Sequence, residues 1–531
     1  MPTLLLFCAV ILILCLAGSR LSQRFGVPAL LLFMILGMLF GSDGLFKISF
    51  DNYQFAEQLC SIALIFIMFY GGFGTNWNAA KPVAARACLL SSVGVILTAA
   101  LTGLFCYFFL HFDFLESMLI GAVISSTDAA SVFSILRSKK LNLKENTASL
   151  LEIESGSNDP FSYMLTVIIL TLMQGTSTTA SILYLIFSQV IYGAIFGVVI
   201  AFVAIWILHH ISFSQGGMDT IFVLAIALLS YAVPTALGGN GYLSAYITGI
   251  IIGNAKVKNK TSLVHFFDGV TGLMQIVIFF LLGLLAFPST LPHIILPALA
   301  IALFLTFIAR PAVVFGLLFP SRSSLRQQLL VSWSGLRGAS SIVFAIMATI
   351  SPAYTKNDVF HVVFCIVLLS ITFQGSLLPW IAKKLQMVDA TSDVRRTFND
   401  YQEEAELRFI QSHIPPNHPW VNKPVHNIEL PPSTLLVLVL RGTETIIPRG
   451  STVIQAGDTA ILSAAPFEDD PDLSLLELHV EDRPAWIGKK LSELSLSSHQ
   501  LVILIKRNGK TIIPKGTTMI KKGDIMILMS K

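Results

Sequence analysis

The sequence predicts an all-α polytopic membrane domain followed by a small α+β tail built from two repeated lobes. Three observations lead there. First, the 531 residues are 54% hydrophobic and only 12% charged, with a mean hydropathy of +0.74, whereas a soluble chain carries about a quarter charged residues. Second, the charge deficit is local: residues 1–385 read as apolar runs with short polar breaks, while 386–531 have ordinary soluble composition. Third, a block of residues in that second part recurs at a fixed offset.

A membrane-spanning helix needs ~20 mostly apolar residues. By that criterion thirteen candidate spans are centred near residues 10, 36, 66, 97, 125, 163, 195, 226, 247, 279, 305, 339 and 370. The ninth, Tyr242–Gly253, is short, and without it the count is twelve. Pro2–Gly18 lacks the basic start of a signal peptide and more hydrophobic segments follow it, so it reads as the first span. The loops test the count. Arg20, Arg24, Lys81, Arg86, Arg137, Lys139, Lys140, Lys144, Lys256, Lys258, Lys260, Arg322, Arg326, Lys383 and Lys384 fall on one side, and only Lys47 and Lys356 on the other. The basic side is cytoplasmic by the positive-inside rule, which puts the N-terminus outside and the tail in the cytoplasm, as expected for a multi-pass membrane protein.

The net charge of +4 is spread over loops rather than gathered in a patch, so nucleic acid is not an expected partner. The cysteines all lie in apolar segments with no CxxC pair; they are expected to be small buried hydrophobes, implying neither disulfide nor metal.

In the tail, a charged stretch, Val394–Arg408, reads as a linker helix and is followed by a Pro-rich break, Ile414–Pro424. The predicted organisation is a membrane domain over 1–385, a linker over 386–419, and lobes over 420–466 and 467–531. Arg441, Thr445–Pro448, Gly450, Thr452, Ile454, Gly457-Asp458 and Ile461-Leu462 recur 66 residues later as Arg507, Thr511–Pro514, Gly516, Thr518, Ile520, Gly523-Asp524 and Ile527-Leu528. β-rich runs alternating with Gly/Asp turns predict small α+β lobes, and two copies are expected to pair. No Gly-rich dinucleotide fingerprint precedes them, so no cofactor is expected; a nucleotide or small anion is the candidate ligand.

An ionisable residue inside a span is costly, and its default reading is functional. Asp128, Glu152, Glu154, Asp159, Arg310 and Arg337 stand out. Around Asp128, Ser125-Ser126-Thr127-Asp128-Ala129 weakens the helix and offers oxygen ligands; a broken helix leaves free carbonyls suited to a desolvated alkali cation. The bland alternative is a small-residue packing face. In Glu154-Ser155-Gly156-Ser157-Asn158-Asp159-Pro160, Ser155 and Asp159 share a helix face, with Glu154 and Asn158 on the next. Pro160 cannot donate to the Gly156 carbonyl, which predicts a kink. A carboxylate buried there holds either a proton or a cation, and that competition is the physical core of exchange. Gly335-Leu336-Arg337-Gly338-Ala339 interrupts a second apolar run. Its arginine needs a carboxylate, and Glu154 is the expected partner. Two broken spans are what two inverted halves crossing at a midplane site produce. Arg310-Pro311 reads as a kink with a locally paired arginine, and the role of Glu152 stays open. Tyr70, Asn76 and Gln275 are read as helix–helix hydrogen bonders.

With these residues in hand, residues 1–385 resemble the monovalent cation:proton antiporter-1 family, the NhaP-type group, through Thr127-Asp128, Glu154–Asp159 and Gly335–Gly338. The tail resembles two copies of the TrkA/RCK C-terminal domain, and the combination is similar to bacterial potassium/proton antiporters of the cell volume regulation kind. The resemblance implies a homodimer with a moving core, K⁺ (or Na⁺) exchanged for H⁺, and Asp159 as carrier. It also implies that Ser155, Asp128 and the Thr127 carbonyl help hold the monovalent cation, with Asn158 beside them, and that Glu154 and Arg337 form a structural ion pair. The Asn-Asp pair resembles the electroneutral branch. In one departure, Ile67–Asn76 lacks the acidic residue that members often carry near the third span. A ligand-gated cation channel is the competing class; it would need a repeated pore loop, and none is present. An intramembrane enzyme would need a nucleophile or metal constellation, and none appears.

Overall fold

The computed structural model describes residues 2–25, 28–138, 141–175, 177–211, 217–257, 260–321, 323–353, 355–389, 408–430, 434–442, 444–464, 474–482, 484–494, 500–507, 510–512 and 514–530. The chain divides into two compact units, Met1–Glu403 and Glu404–Lys531.

In the first unit, besides a single turn at Trp77–Ala80, the helices are α1 (Pro2–Phe25), α2 (Ala29–Phe40), α3 (Tyr53–Gly74), α4 (Ala84–Leu110), α5 (Phe114–Val123), α6 (Ala129–Ser138), α7 (Thr147–Met173), α8 (Thr179–His210), α9 (Met218–Ala236), α10 (Gly241–Asn254), α11 (Lys260–Leu285), α12 (Leu291–Ser321), α13 (Leu325–Trp333), α14 (Ala339–Ile350) and α15 (Val359–Lys384). Eight of them are long and apolar enough to cross a membrane by themselves. Each of the thirteen expected centres falls in a helix or at a break between two half-helices; the breaks separate α5 from α6 and α13 from α14. The short ninth span is the real helix α10. Pro160 does not interrupt α7, which runs unbroken through it, and the Pro160 carbonyl accepts a hydrogen bond from Asn240 Nδ2 at 2.8 Å.

Small residues set how close the helices come. A Cβ on Gly249 of α10 would stand 2.1 Å from the Phe69 carbonyl of α3, and one on Gly283 of α11 would stand 2.2 Å from the Met34 carbonyl of α2. Larger side chains at either position would push the helix pairs apart.

Two short strands, β1 (Asn142–Leu143) and β2 (Val388–Asp389), pair antiparallel, and Lys144 N–H donates to the Met387 carbonyl at 2.8 Å. The point where the chain leaves the membrane unit is therefore clipped to the loop that leads into α7. Leu141, Leu143 and Met387 share one buried cluster with Leu150, Leu151 and Ile153 of α7 and with Leu336.

The second unit holds two sheets of matching order. Strands β3 (Arg408–His413), β4 (Thr434–Arg441), β5 (Glu444–Ile446) and β6 (Thr459–Ala464) form the order β3-β6-β4-β5. Strands β7 (Ser474–His479), β8 (Gln500–Arg507), β9 (Lys510–Ile512) and β10 (Ile525–Ser530) form β7-β10-β8-β9. The first lobe thus starts at Arg408, not at residue 420: β3 pairs along β6, so residues assigned to a linker are an edge strand. The rest of the expected linker helix, residues 394–407, lies outside the described residues. Each lobe closes a core of its own, one around Val439, Ile454 and Ala460, the other around Ile505, Ile520 and Met526.

The repeated Arg and Asp explain themselves here. Arg441 grips buried Asp458 through Nε and Nη2, both at 2.8 Å, and Arg507 grips Asp524 in the same way at 2.7 Å. The Arg441 guanidinium holds the Asp458 carboxyl below the usual carboxylate range. A depressed folded-state pKa contributes stability that is present above the unfolded value and is lost as pH falls through the folded one. Asp458→Asn is therefore expected to lower the thermal stability of the first lobe at neutral pH, with the gap to the parent protein closing under acid. Melting curves between neutral pH and about pH 3 check this; a gap that stays constant with pH would remove the ion pair as its cause.

Candidate ion-exchange site at the crossing of two broken helices

The break between α5 and α6 and the break between α13 and α14 meet. Asp128 N–H donates to the Leu336 carbonyl at 2.8 Å, and the Ser126 hydroxyl lies 3.2 Å from that of Ser340 and 3.3 Å from that of Ser341. Only glycine fits at 338, where a Cβ would stand 2.0 Å from Asp128 Oδ2.

The two breaks expose the main-chain carbonyls at the end of α5, which no longer have helical donors. Arg337 supplies them: its Nη1 donates to the Ser125 carbonyl at 2.7 Å and to the Ser126 carbonyl at 2.6 Å. A positive charge at the C-terminal end of a half-helix also complements its dipole. Arg337 is 1% exposed, and its reach is spent on these carbonyls.

Glu154 is therefore not paired with Arg337, as the sequence led us to expect; its salt bridge is to Arg310 Nη2, with both side chains buried. The reason lies in how the helices approach one another. Helix α12 carries a π-helical turn at Leu305–Ala309 immediately before Arg310-Pro311. The Arg310 side chain crosses Gly335, where a Cβ would stand 2.9 Å from its Nε. Absence of a side chain at 335 opens the way to Glu154.

Along α7, Ser155 donates to the Thr127 carbonyl, and Asn158 Nδ2 donates to Thr127 Oγ1 at 2.6 Å. These bonds fasten the helix that carries Asp159 to the first break. Asp159 is 4% exposed and lies beside the hydroxyls of Ser126 and Ser340. Among the described residues its Oδ1 has no hydrogen-bond partner, and neither has Asn158 Oδ1. A buried carboxylate oxygen left open suits a cation or a proton. Asp128 sits nearby but is half-buried and accepts from Ser131, through Oδ1 from the N–H at 3.2 Å and through Oδ2 from the hydroxyl at 2.5 Å, as the cap of α6.

The structure thus gathers Thr127, Asp128, Ser155, Asn158 and Asp159 at one crossing. It adds Ser126, Ser340 and Ser341, which sequence reasoning did not single out as site residues. Their signal was present as hydroxyls flanking each break.

A profile of the family "Sodium/hydrogen exchanger, transmembrane" matches residues 10–384, most of the chain. The chain belongs to the sodium/hydrogen exchanger family. Two TrkA-C domains match this exchanger's tail, over 410–466 and 475–531, the same two lobes the sheets define. Among curated relatives, "K(+)/H(+) antiporter NhaP" of Alkalimonas amylolytica is 34% identical, over 88% of this chain and 82% of its own length. "K(+)/H(+) antiporter NhaP2" of Shewanella sp. (strain ANA-3) is 33% identical, over 83% of this chain and 77% of its own length. The solved sodium proton antiporter MjNhaP1 of Methanocaldococcus jannaschii superposes with a TM-score of 0.62 at 24% identity, over 71% of this chain and 97% of that one. The exchanger fold of the membrane unit is thereby shared with a solved structure.

Proposed function

We propose that this exchanger carries K⁺ in one direction and H⁺ in the other, using Asp159 as the group that binds them in turn. One observation carries the proposal. A buried carboxylate with an open oxygen stands where two broken helices meet, among hydroxyls and main-chain carbonyls. Such a group cannot be left charged and alone in the membrane, so it takes up a cation or a proton, and releasing one makes room for the other. Ser155, Asn158, Thr127 and Asp128 shape the cage; Glu154 with Arg310, and Arg337 with the Ser125 and Ser126 carbonyls, hold it open. The choice of K⁺ over Na⁺ rests on the curated relatives named as K⁺/H⁺ antiporters, whose similarity runs over most of the chain. A neutral Asn158 beside a single carrier carboxylate favours one-for-one, electroneutral exchange.

In this reading the exchanger works in a bacterial inner membrane as a homodimer, with its N-terminus outside and its tail inside. The lopsided distribution of Lys and Arg between loops supports that orientation.

The test is exchange by full-length protein in liposomes carrying a pH-sensitive dye, with K⁺ and Na⁺ offered in turn. Because proton and cation compete for one carboxylate, the half-saturating cation concentration should rise as pH falls. Cation-dependent pH changes with Na⁺ alone would move the substrate to sodium, and current without proton movement would favour a channel.

The tail regulates rather than carries. Cutting the chain between Asp389 and Arg408 keeps the β1–β2 clip and the whole site. The truncated protein should still exchange but should respond differently to pH or cation concentration on the tail side. A stable truncated protein that is inert under every condition would make the tail part of the transport machinery.

A further inference from the structure

Asp159 is not the only carboxylate on its face of α7. Glu152 lies seven residues before it, two helical turns and so about 10 Å away on the same side. Gly156 falls between them on that face. Glu152 is 7% exposed and accepts a hydrogen bond from Thr75 Oγ1 at 3.2 Å. The same Thr75 hydroxyl also points to the Gly71 carbonyl at 2.9 Å, and the Thr75 carbonyl is held by Asn254 Nδ2 at 2.9 Å. The end of α3 is thus fixed against Glu152 by α10.

Tyr246 of α10 completes the group. Its ring lies on Gly156, where a Cβ would stand 2.3 Å from the ring, so any larger residue at 156 would expel it. Its hydroxyl lies beside Thr75 and within electrostatic reach of Glu152. Tyr246 is 3% exposed, yet among the described residues its hydroxyl has no hydrogen-bond partner at ordinary donor–acceptor distance. A buried, unpartnered tyrosine hydroxyl is costly unless something binds it.

The direction is given by the β1–β2 clip. Helix α7 starts at Thr147, just after β1, which pairs with β2 where the chain leaves for the tail. Glu152 is therefore on the tail side of Asp159, and the Tyr246 ring partitions the two.

We propose that Glu152, Thr75 and Tyr246 form a second station for a monovalent alkali cation, between Asp159 and the tail-side face of the membrane unit. The proposal rests on the exchange reading above. A hard cation is suited to this all-oxygen set of carboxylate, threonine hydroxyl and phenol. A station of this kind attracts the ion toward the partition without holding it, since conduction needs sites weak enough to leave.

The test uses full-length protein in liposomes, with K⁺ supplied at the tail-side face and exchange read by the dye. Removing a unit charge from the approach should raise the half-saturating K⁺ concentration about tenfold for Glu152→Gln, with the saturating rate within about twofold. Tyr246→Phe should raise it in the same direction, about threefold, and Glu152→Asp should stay near the parent. Unchanged half-saturation in Glu152→Gln and Tyr246→Phe overturns the station. So does a parallel fall of rate and melting temperature without a shift in half-saturation, which would mark a structural role. If Glu152→Gln does not fold, Tyr246→Phe decides alone by the same criterion. A parent protein that exchanges normally beside unshifted variants sinks only the station, whereas a parent inert toward K⁺ and Na⁺ sinks the exchange reading as well.

Discussion

Asp159→Asn should reduce cation-driven proton movement to the level of protein-free liposomes while leaving expression and melting temperature near the parent values. The amide fills the same volume and keeps an acceptor oxygen beside Ser126 and Ser340. What it loses is the charge that makes cation and proton alternatives. Burial favours the substitution as far as stability is concerned, since a neutral group replaces one that resists desolvation. Loss of transport with intact folding therefore isolates the exchange role. Asp128→Asn is the informative companion, because Asp128 caps α6 through Ser131. Asparagine also caps helices well, so that variant should keep much of its stability and show a weaker defect. Parent-like exchange by Asp159→Asn would remove Asp159 as carrier.

The second large effect concerns Glu154 and Arg310. Both are buried, and each leaves an uncompensated charge if the other is neutralised. Glu154→Gln or Arg310→Gln alone should cost about 3–5 kcal/mol of stability, and the double variant should recover much of the loss. The control is Arg337→Gln. It frees the Ser125 and Ser126 carbonyls rather than a carboxylate, so its defect should add to that of Glu154→Gln instead of cancelling it. Thermal denaturation in detergent of the parent and the five variants gives both coupling terms. A double Glu154/Arg310 variant whose loss is the sum of the singles, or strong rescue of Glu154→Gln by Arg337→Gln, would reverse the assignment of the pair.

That reversal shows where sequence reasoning stops. The thirteen helical centres, the two breaks and the chemistry-bearing residues were legible because each has a local cause. Apolar runs of bilayer length form helices. Gly335 and Gly338 around an arginine, and hydroxyls before Asp128, weaken a helix wherever they stand. The 66-residue repeat likewise made two lobes visible. The start of the first lobe was not visible, because Arg408–His413 is an edge strand whose only reason to be a strand is β6 beside it.

Pairing was hidden for a similar reason. Two arginines lay within reach of a search for a partner to Glu154, and spacing along the chain says nothing about which arrives. Arg337 stands beside the carbonyls that the first break leaves open, and it is consumed there. Arg310 reaches Glu154 only because Gly335, on a different span, has no side chain in its way. The sequence by itself determined which groups are charged, where helices start and fail, and that a carboxylate would be buried. Tertiary structure alone decided which charge neutralises which, that Ser126, Ser340 and Ser341 meet at the crossing, and that Tyr246 lies over Gly156. The first set depends on interactions a few residues apart. The second depends on contacts between helices far apart in the chain, set by whichever small residue lets two of them approach.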